Sequence, residues 1–249
     1  MNYFLKQGER IDDLQIGGLK IIQNPQKFCF GLDAVILANF ATIKKGDFVV
    51  DFGTGTGIVP ILIAGKTGAS RIIGIEIQSD MVEMATRSVR MNRLEDRITI
   101  LHGDIRKVNH YIKDNSVDLV VSNPPYMNTG KGLVNPNSSK AIARHEIMCT
   151  LEDIISSAAK ILKNGGRLAI IHRSNRLVDV LYAMRSRGIE PKRLRMVHPT
   201  VDRESNLFLV EGTKGGGTFL KVLKPLVIYD GDGNYTEEIH KIYYRGERM

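Results

Sequence analysis

Four polar residues stand where strands would end. Asp51 precedes the turn Gly53-Thr54-Gly55-Thr56-Gly57. Glu76 closes the apolar run of residues 71–77. Asp104 follows residues 97–101 and the pair His102-Gly103. Asn123 opens Asn123-Pro124-Pro125-Tyr126 after residues 117–121. A dinucleotide fingerprint beginning at Gly53 would need glycine or alanine where Ile58 stands. Pyrophosphate also prefers bare backbone amides at a helix start, and the acid at Asp51 opposes a phosphate but suits an amino group. Glu76 is placed to accept from both hydroxyls of a ribose, and Asp104 from an adenine amine. An adenosine that carries an ammonium tail and no phosphate is S-adenosylmethionine.

The amide and the two prolines suit transfer to an amine on an aromatic ring. The lone pair of such a nitrogen is delocalised into the ring. The Asn123 side-chain carbonyl and the Pro124 backbone carbonyl can each accept one N–H, which favours a pyramidal nitrogen with its lone pair toward the methyl. Pro124 and Pro125 fix the backbone so that the carbonyl is already aimed. Tyr126 offers a face on which a base stacks, worth about 1–3 kcal/mol. The proton can leave after transfer, so no base is required first.

These residues need a sheet whose strands all end on one edge. The chain supplies it. Residues 49–52 read as a buried strand, the glycines as a tight turn, and residues 58–64 as an apolar helix, which is the first crossover of a parallel α/β sheet. Ser79 can cap a helix that carries Val82, Ala85 and Val89 at helical spacing. Residues 117–121 form a continuous apolar strand, as expected when both faces are covered. Thr150 and Asp153 make a capping box for a helix that Asn164-Gly165-Gly166 stops. Residues 167–172, a helix over 177–187, and two closing strands over 193–198 and 206–212 complete the order, with the closing pair antiparallel. Before the core lie a strand near residues 19–23 and an apolar helix over 34–41 that Asp33 can cap. After it come a strand at 226–229, a turn over 230–234 and a short helix from Thr236. Residues 127–144 are the longest stretch without periodicity, and loops of that length in compact domains are usually functional.

Composition narrows the partners. The 249-residue chain suits one α/β domain with additions, and its formal charge of +8 favours a polyanion. No apolar run approaches the roughly 18 residues that span a membrane. The first residues lack the apolar core of a signal peptide. Cys29 and Cys149 have no metal spacing and read as reduced residues of a cytoplasmic protein. The six histidines show no metal pairing. Asp230, Asp232 and Asn234 mimic the start of a calcium loop, but Tyr235 and Lys241 stand where it needs Gly and Glu, so no metal is expected.

The motifs DFGTGTG, Ile75-Glu76-Ile77, Gly103-Asp104 and Ser122-Asn123-Pro124-Pro125-Tyr126 resemble, in order, those of class I S-adenosylmethionine-dependent methyltransferases. More narrowly, the chain resembles the bacterial tRNA(Val) adenine-N(6) methyltransferases, which modify the adenine just 3′ of the anticodon. That likeness includes Phe30-Gly31-Leu32-Asp33, Ala143-Arg144-His145-Glu146 and the tail Pro225 to Tyr229 with Asn234-Tyr235-Thr236-Glu237. It implies a Rossmann-like α/β fold with a seven-stranded sheet, the last strand antiparallel. It implies a methyltransferase domain over residues 31–217, an extension over 1–30 packed on it, and a strand and helix tail over 218–249.

The same likeness implies catalysis at Asn123, Pro124, Pro125 and Tyr126. S-adenosylmethionine would be held by Phe30, Gly31, Asp33, Asp51, Gly53, Thr54, Gly55, Gly57, Glu76, Asp104, Ile105 and Asn123, with the segment from Phe30 to Asp33 closing over its methionine end. Lys131, Lys140, Arg144, His145 and Arg173 are candidates for contacts to tRNA phosphates. The Asn-Pro-Pro-Tyr motif is shared with release-factor glutamine methyltransferases and with guanine and DNA-adenine enzymes. The first usually carry a helical domain ahead of the motifs, the DNA enzymes a target-recognition domain, and the rRNA guanine enzymes a duplicated domain.

Overall fold

A computed structural model of the chain describes residues 5–27, 29–125 and 149–243. The elements in order are β1 (Arg10–Asp13), β2 (Lys20–Gln23), α1 (Leu32–Phe40), β3 (Phe48–Phe52), α2 (Ile58–Lys66), β4 (Arg71–Glu76), α3 (Ser79–Met91), β5 (Ile98–His102) and a 3-10 turn over Ile105–His110. Then come β6 (Val117–Ser122), α4 (Leu151–Ile161), β7 (Leu162–Arg173), α5 (Leu177–Ser186), β8 (Ile189–His198), β9 (Leu207–Lys214), β10 (Lys221–Val222), β11 (Leu226–Val227) and α6 (Glu237–Tyr243).

Seven strands form the core in the order β5-β4-β3-β6-β7-β9-β8, all parallel except β9. The chain builds β3, β4 and β5 to one side, then returns to place β6 against the other side of β3. The strand order therefore reverses between β3 and β6, where open α/β sheets bind ligands. The sheet has two strands more than the seven expected. The two-residue β10 and β11 both pair with the outer edge of β8.

Burial follows from the sequence pattern. In α2 every residue from Ile58 to Ala64 is buried, so this helix is apolar all round and lies between the sheet, α1 and the N-terminal hairpin. In α3 only Met81, Met84, Ala85, Ser88 and Val89 are buried, a stripe at helical spacing. Helix α4 begins at the Thr150–Asp153 capping box, with both reciprocal bonds formed. Two other starts differ from expectation. The cap of α1 is Gly31, with Asp33 in the first turn, and the cap of α3 is Gln78, with Ser79 already helical.

The additions pack on this core. The β1–β2 hairpin is pinned to α3 by a pair of bonds between Lys20 and Asn92 and by Ile22 N–H donating to Ser88 Oγ at 3.0 Å. Arg87 on α3 grips Glu9 with two bonds of 2.7 Å. At the other end, Ile239 and Ile242 of α6 are buried, and Lys66 Nζ donates to Ile242 O.

Candidate active site

The glycine turn leaves β3 with Gly53, Gly55 and Gly57 at φ of 72°, 55° and 84°. Side chains disfavour that region, so glycine at alternate positions is what the turn requires. Gly57 also caps α2 where a Cβ would stand 3.2 Å from Ala85 Cβ. The turn is tied to β4 by Gly53 and Thr54 N–H, both donating to Ile75 O.

Three acids reach this region in different states. Asp51 is 1% exposed, and its Oδ2 has no hydrogen-bond partner among the described residues. Burial pushes the Asp51 carboxyl up to about 7, against the opposing pull of the Thr54 hydroxyl, and the charge of Glu76 adds to the rise. A buried carboxylate oxygen without a donor is costly, and a cation beside it would remove the cost. This oxygen fits the ammonium of S-adenosylmethionine.

Glu76 is also buried, but well satisfied. Oε2 accepts Gly55 N–H, and Oε1 accepts Ile77 and Gln78 N–H, all at 2.9 Å. A carboxylate accepts about four bonds. Three are used in this arrangement. As it stands there is room for one, and a second requires the Gly55 amide to yield. Asp104 caps the 3-10 turn, accepting Arg106 N–H at 2.9 Å, and the Arg106 guanidinium adds bonds to both its oxygens at 2.6–3.0 Å. That guanidinium holds the Asp104 carboxyl below its ordinary range. The expected acceptor for an adenine amine is thus engaged by Arg106. Ile105, beside it, is part-buried against the core.

The strand registers bring the two halves together. Phe52 of β3 pairs with Ser122 of β6, and Ser122 Oγ donates to Phe52 O at 3.1 Å. Gly53 and Asn123 therefore leave adjacent strands side by side. Pro124 is buried and Pro125 exposed. Arg173 ends β7, the next strand along the same edge. Gly31 and Asp33 start α1. The N–H of Phe30 donates to Gln23 Oε1, and its ring lines a cleft of about 280 Å³ with Val35, Leu62 and Tyr235. Tyr126, Lys131, Lys140, Arg144 and His145 lie outside the described residues.

Two contributors were missed in the sequence. Gly74 pairs with Asp51, and a Cβ there would meet the Thr54 side chain at 2.7–2.9 Å. A lone glycine inside an apolar strand signals such close approach. Arg106 carried no signal, being one of 35 basic residues. Among the described residues no group of three His, Cys, Asp or Glu is placed to hold a metal, and no helix is long and apolar enough to cross a membrane.

The chain is similar to known proteins. The family described as methyltransferase small domain matches residues 31–185. A tRNA1(Val) (adenine(37)-N6)-methyltransferase from Porphyromonas gingivalis is 31% identical over 217 residues, 84% of this chain and 84% of its own. A protein of the same name from Phocaeicola vulgatus is 29% identical over 168 residues, 68% of this chain and 69% of its own. Among solved structures, a predicted O-methyltransferase from Agrobacterium tumefaciens aligns with a TM-score of 0.70 at 23% identity, covering 87% of this chain and 98% of that one. This last likeness speaks to the fold. With a family match over more than half its length, set on a sheet edge where glycine turn, acids and Asn123 meet, the chain belongs to the methyltransferase small domain family and is an S-adenosylmethionine-dependent methyltransferase.

Proposed function

We propose that the enzyme methylates the exocyclic N6 of adenine in tRNA, at the adenine 3′ of the anticodon of tRNA(Val). The observation that carries this reading is the register of β3 with β6, which sets Asn123 beside the glycine turn. The names of the relatives and the net charge of +8 support the choice of tRNA. Such a substrate implies action in the cytoplasm, with residues 31–217 as the methyltransferase domain and the flanking segments as its additions.

S-adenosylmethionine, when bound, supplies an electrophilic methyl group on a sulfonium. The residues of the chain do the rest. Asp51 holds the ammonium and gives up its own proton to do so. Glu76, with its oxygens fixed by three amides, takes a ribose hydroxyl, and Asp104 orients the adenine end with Arg106. The Asn123 side-chain carbonyl and the Pro124 backbone carbonyl accept the two N–H bonds of the target amine, aiming its lone pair. The target base leaves its stack to reach them, with Tyr126 as its stacking face. After transfer the amine carries an extra proton, which passes to solvent. Gly31 and Asp33, with Phe30, close the cofactor side. Lys131, Lys140, Arg144, His145 and Arg173 meet RNA phosphates.

The test is transfer of labelled methyl to two acceptors in parallel, unmodified tRNA and a release factor, followed by separate nucleoside and peptide analysis. Label in N6-methyladenosine is expected. Label only in a peptide glutamine would overturn the reading.

A further inference from the structure

The outer edge of the sheet has features that methyl transfer does not use. Phe219 has φ of 120°, a conformation that side chains rarely adopt, yet it is 76% exposed, so no packing of its ring compels it. Lys192 Nζ donates to Gly217 O at 2.9 Å and holds the turn that presents this ring. Leu220 and Val222 are exposed beside it. Lys221 and Lys224 are exposed and form no ion pair among the described residues. The neighbouring Arg195 donates to Lys224 O and pairs with Glu238, and Arg193 pairs with Glu211. Isolated exposed apolar residues carry no message. An aromatic ring and two unpaired lysines within six residues match what single strands of nucleic acid use, stacking faces along a positive track.

Register connects this edge to the transfer site. Ser122 pairs with Ile170, Ile170 with Val210, Val210 with Leu194 and Leu194 with Val222. One row of the sheet thus runs from the residue before Asn123 to β10. Four strand spacings make it about 19 Å long.

We propose that β10 and the turn before it form a second RNA-docking ridge, where Phe219 stacks on a base and Lys221 and Lys224 meet phosphates of the tRNA whose adenine lies at Asn123. This rests on the tRNA reading. The ridge is too far from the target to touch a single nucleotide, so it contributes to affinity and leaves chemistry alone.

The experiment compares tRNA binding and methylation for the full chain, Phe219→Ala, and the pairs Lys221→Glu/Lys224→Glu and Lys221→Gln/Lys224→Gln, across salt concentrations. The charge-reversed pair is expected to weaken tRNA binding at least tenfold. The salt slope of either lysine pair should flatten by about 0.7–0.9 per lost phosphate contact. Phe219→Ala should weaken binding about five- to tenfold with an unchanged slope. Turnover at saturating tRNA and cofactor affinity should stay within about twofold, and melting temperatures should match. Unchanged tRNA affinity and slope in all three variants would overturn the ridge. So would a change of sedimentation state without a change in RNA affinity, which would give the edge to a second copy. Lysines that merely blunt an open sheet edge would show as aggregation of the glutamine pair with tRNA affinity intact, also overturning it. Failure of the tRNA reading is distinguishable, because the unaltered chain would then transfer no methyl to tRNA.

Discussion

The two halves of the sheet's carboxyl edge are built differently. On the β3–β5 side the chain closes on itself. Backbone amides of the glycine turn and of residues 77 and 78 take three positions on the Glu76 carboxylate, and the Arg106 guanidinium binds both Asp104 oxygens. Of these three acids, Asp51 keeps an oxygen without a partner among the described residues. On the β6–β8 side the chain leaves the strands with a half-exposed Asn123, a fixed Pro124 and Arg173. A cofactor is the same molecule in every turnover, so its site can be made of short, local contacts. A macromolecular acceptor brings its own bulk and charge, so its site is a few aimed groups and a wide approach.

The comparison breaks first at Asn123. Asn123→Ala should lower turnover about 10²–10³-fold, the effect of losing one aimed hydrogen-bonding group, while cofactor affinity by calorimetry falls far less than turnover. A matching loss of cofactor affinity would merge the two halves. Glu76→Gln does the reverse. It turns one of the two oxygens that share three N–H groups into a donor, costing about 1–3 kcal/mol of the bonded arrangement. Cofactor affinity should fall about 10–100-fold with tRNA affinity intact, read by equilibrium binding of each ligand. Gly74→Ala should disturb the cofactor half without touching any ligand. The new methyl meets Thr54 at 2.7 Å, and a melting curve should register about 1–3 kcal/mol of lost stability.

Asp51 sharpens the comparison through pH. Its carboxyl ionises near 4 in the unfolded chain and near 7 when folded. Between these values the folded chain holds a proton that the unfolded chain has lost. Stability from this group is therefore fully present below pH 4 and is lost as pH rises to 7. Asp51→Asn should flatten that decline in melting temperature without cofactor. An ammonium ligand prefers the ionised form, so cofactor affinity should rise with pH up to 7, approaching tenfold per unit, and this slope should vanish in the variant. The smallest effect is expected at Arg106→Ala. Asp104 is 18% exposed and screened, so cofactor affinity should shift by less than about tenfold, measured by the same titration.

Much of this was legible in the sequence because it is written in local patterns. Alternate glycines after a buried strand specify a left-handed turn, and the all-apolar Ile58–Ala64 specifies a covered helix. The ordered acids at strand ends specify which edge is used. What stayed hidden depends on partners far apart in sequence or on details of backbone geometry. That Glu76 is filled by the Gly55 amide depends on a turn 21 residues earlier. That Arg106 folds back on Asp104 is one side-chain choice among many. The two-residue β10 is too short to show a period, whereas β11 lies within the strand expected at 226–229. The starts of α1 and α3 moved for a related reason. Asp33 and Ser79 favour caps, but the chain enters each helix one or two residues sooner and both fall inside it.

The most direct measurement is methylation of a tRNA(Val) transcript by the unaltered enzyme and by Asn123→Ala. It should be run beside the same transcript with inosine in place of the adenine 3′ of the anticodon, with nucleosides read by mass spectrometry. N6-methyladenosine is expected from the adenine transcript with the unaltered enzyme, and almost none from the inosine transcript or the variant. Methylation of the inosine transcript, or turnover by Asn123→Ala equal to that of the unaltered chain, would contradict this.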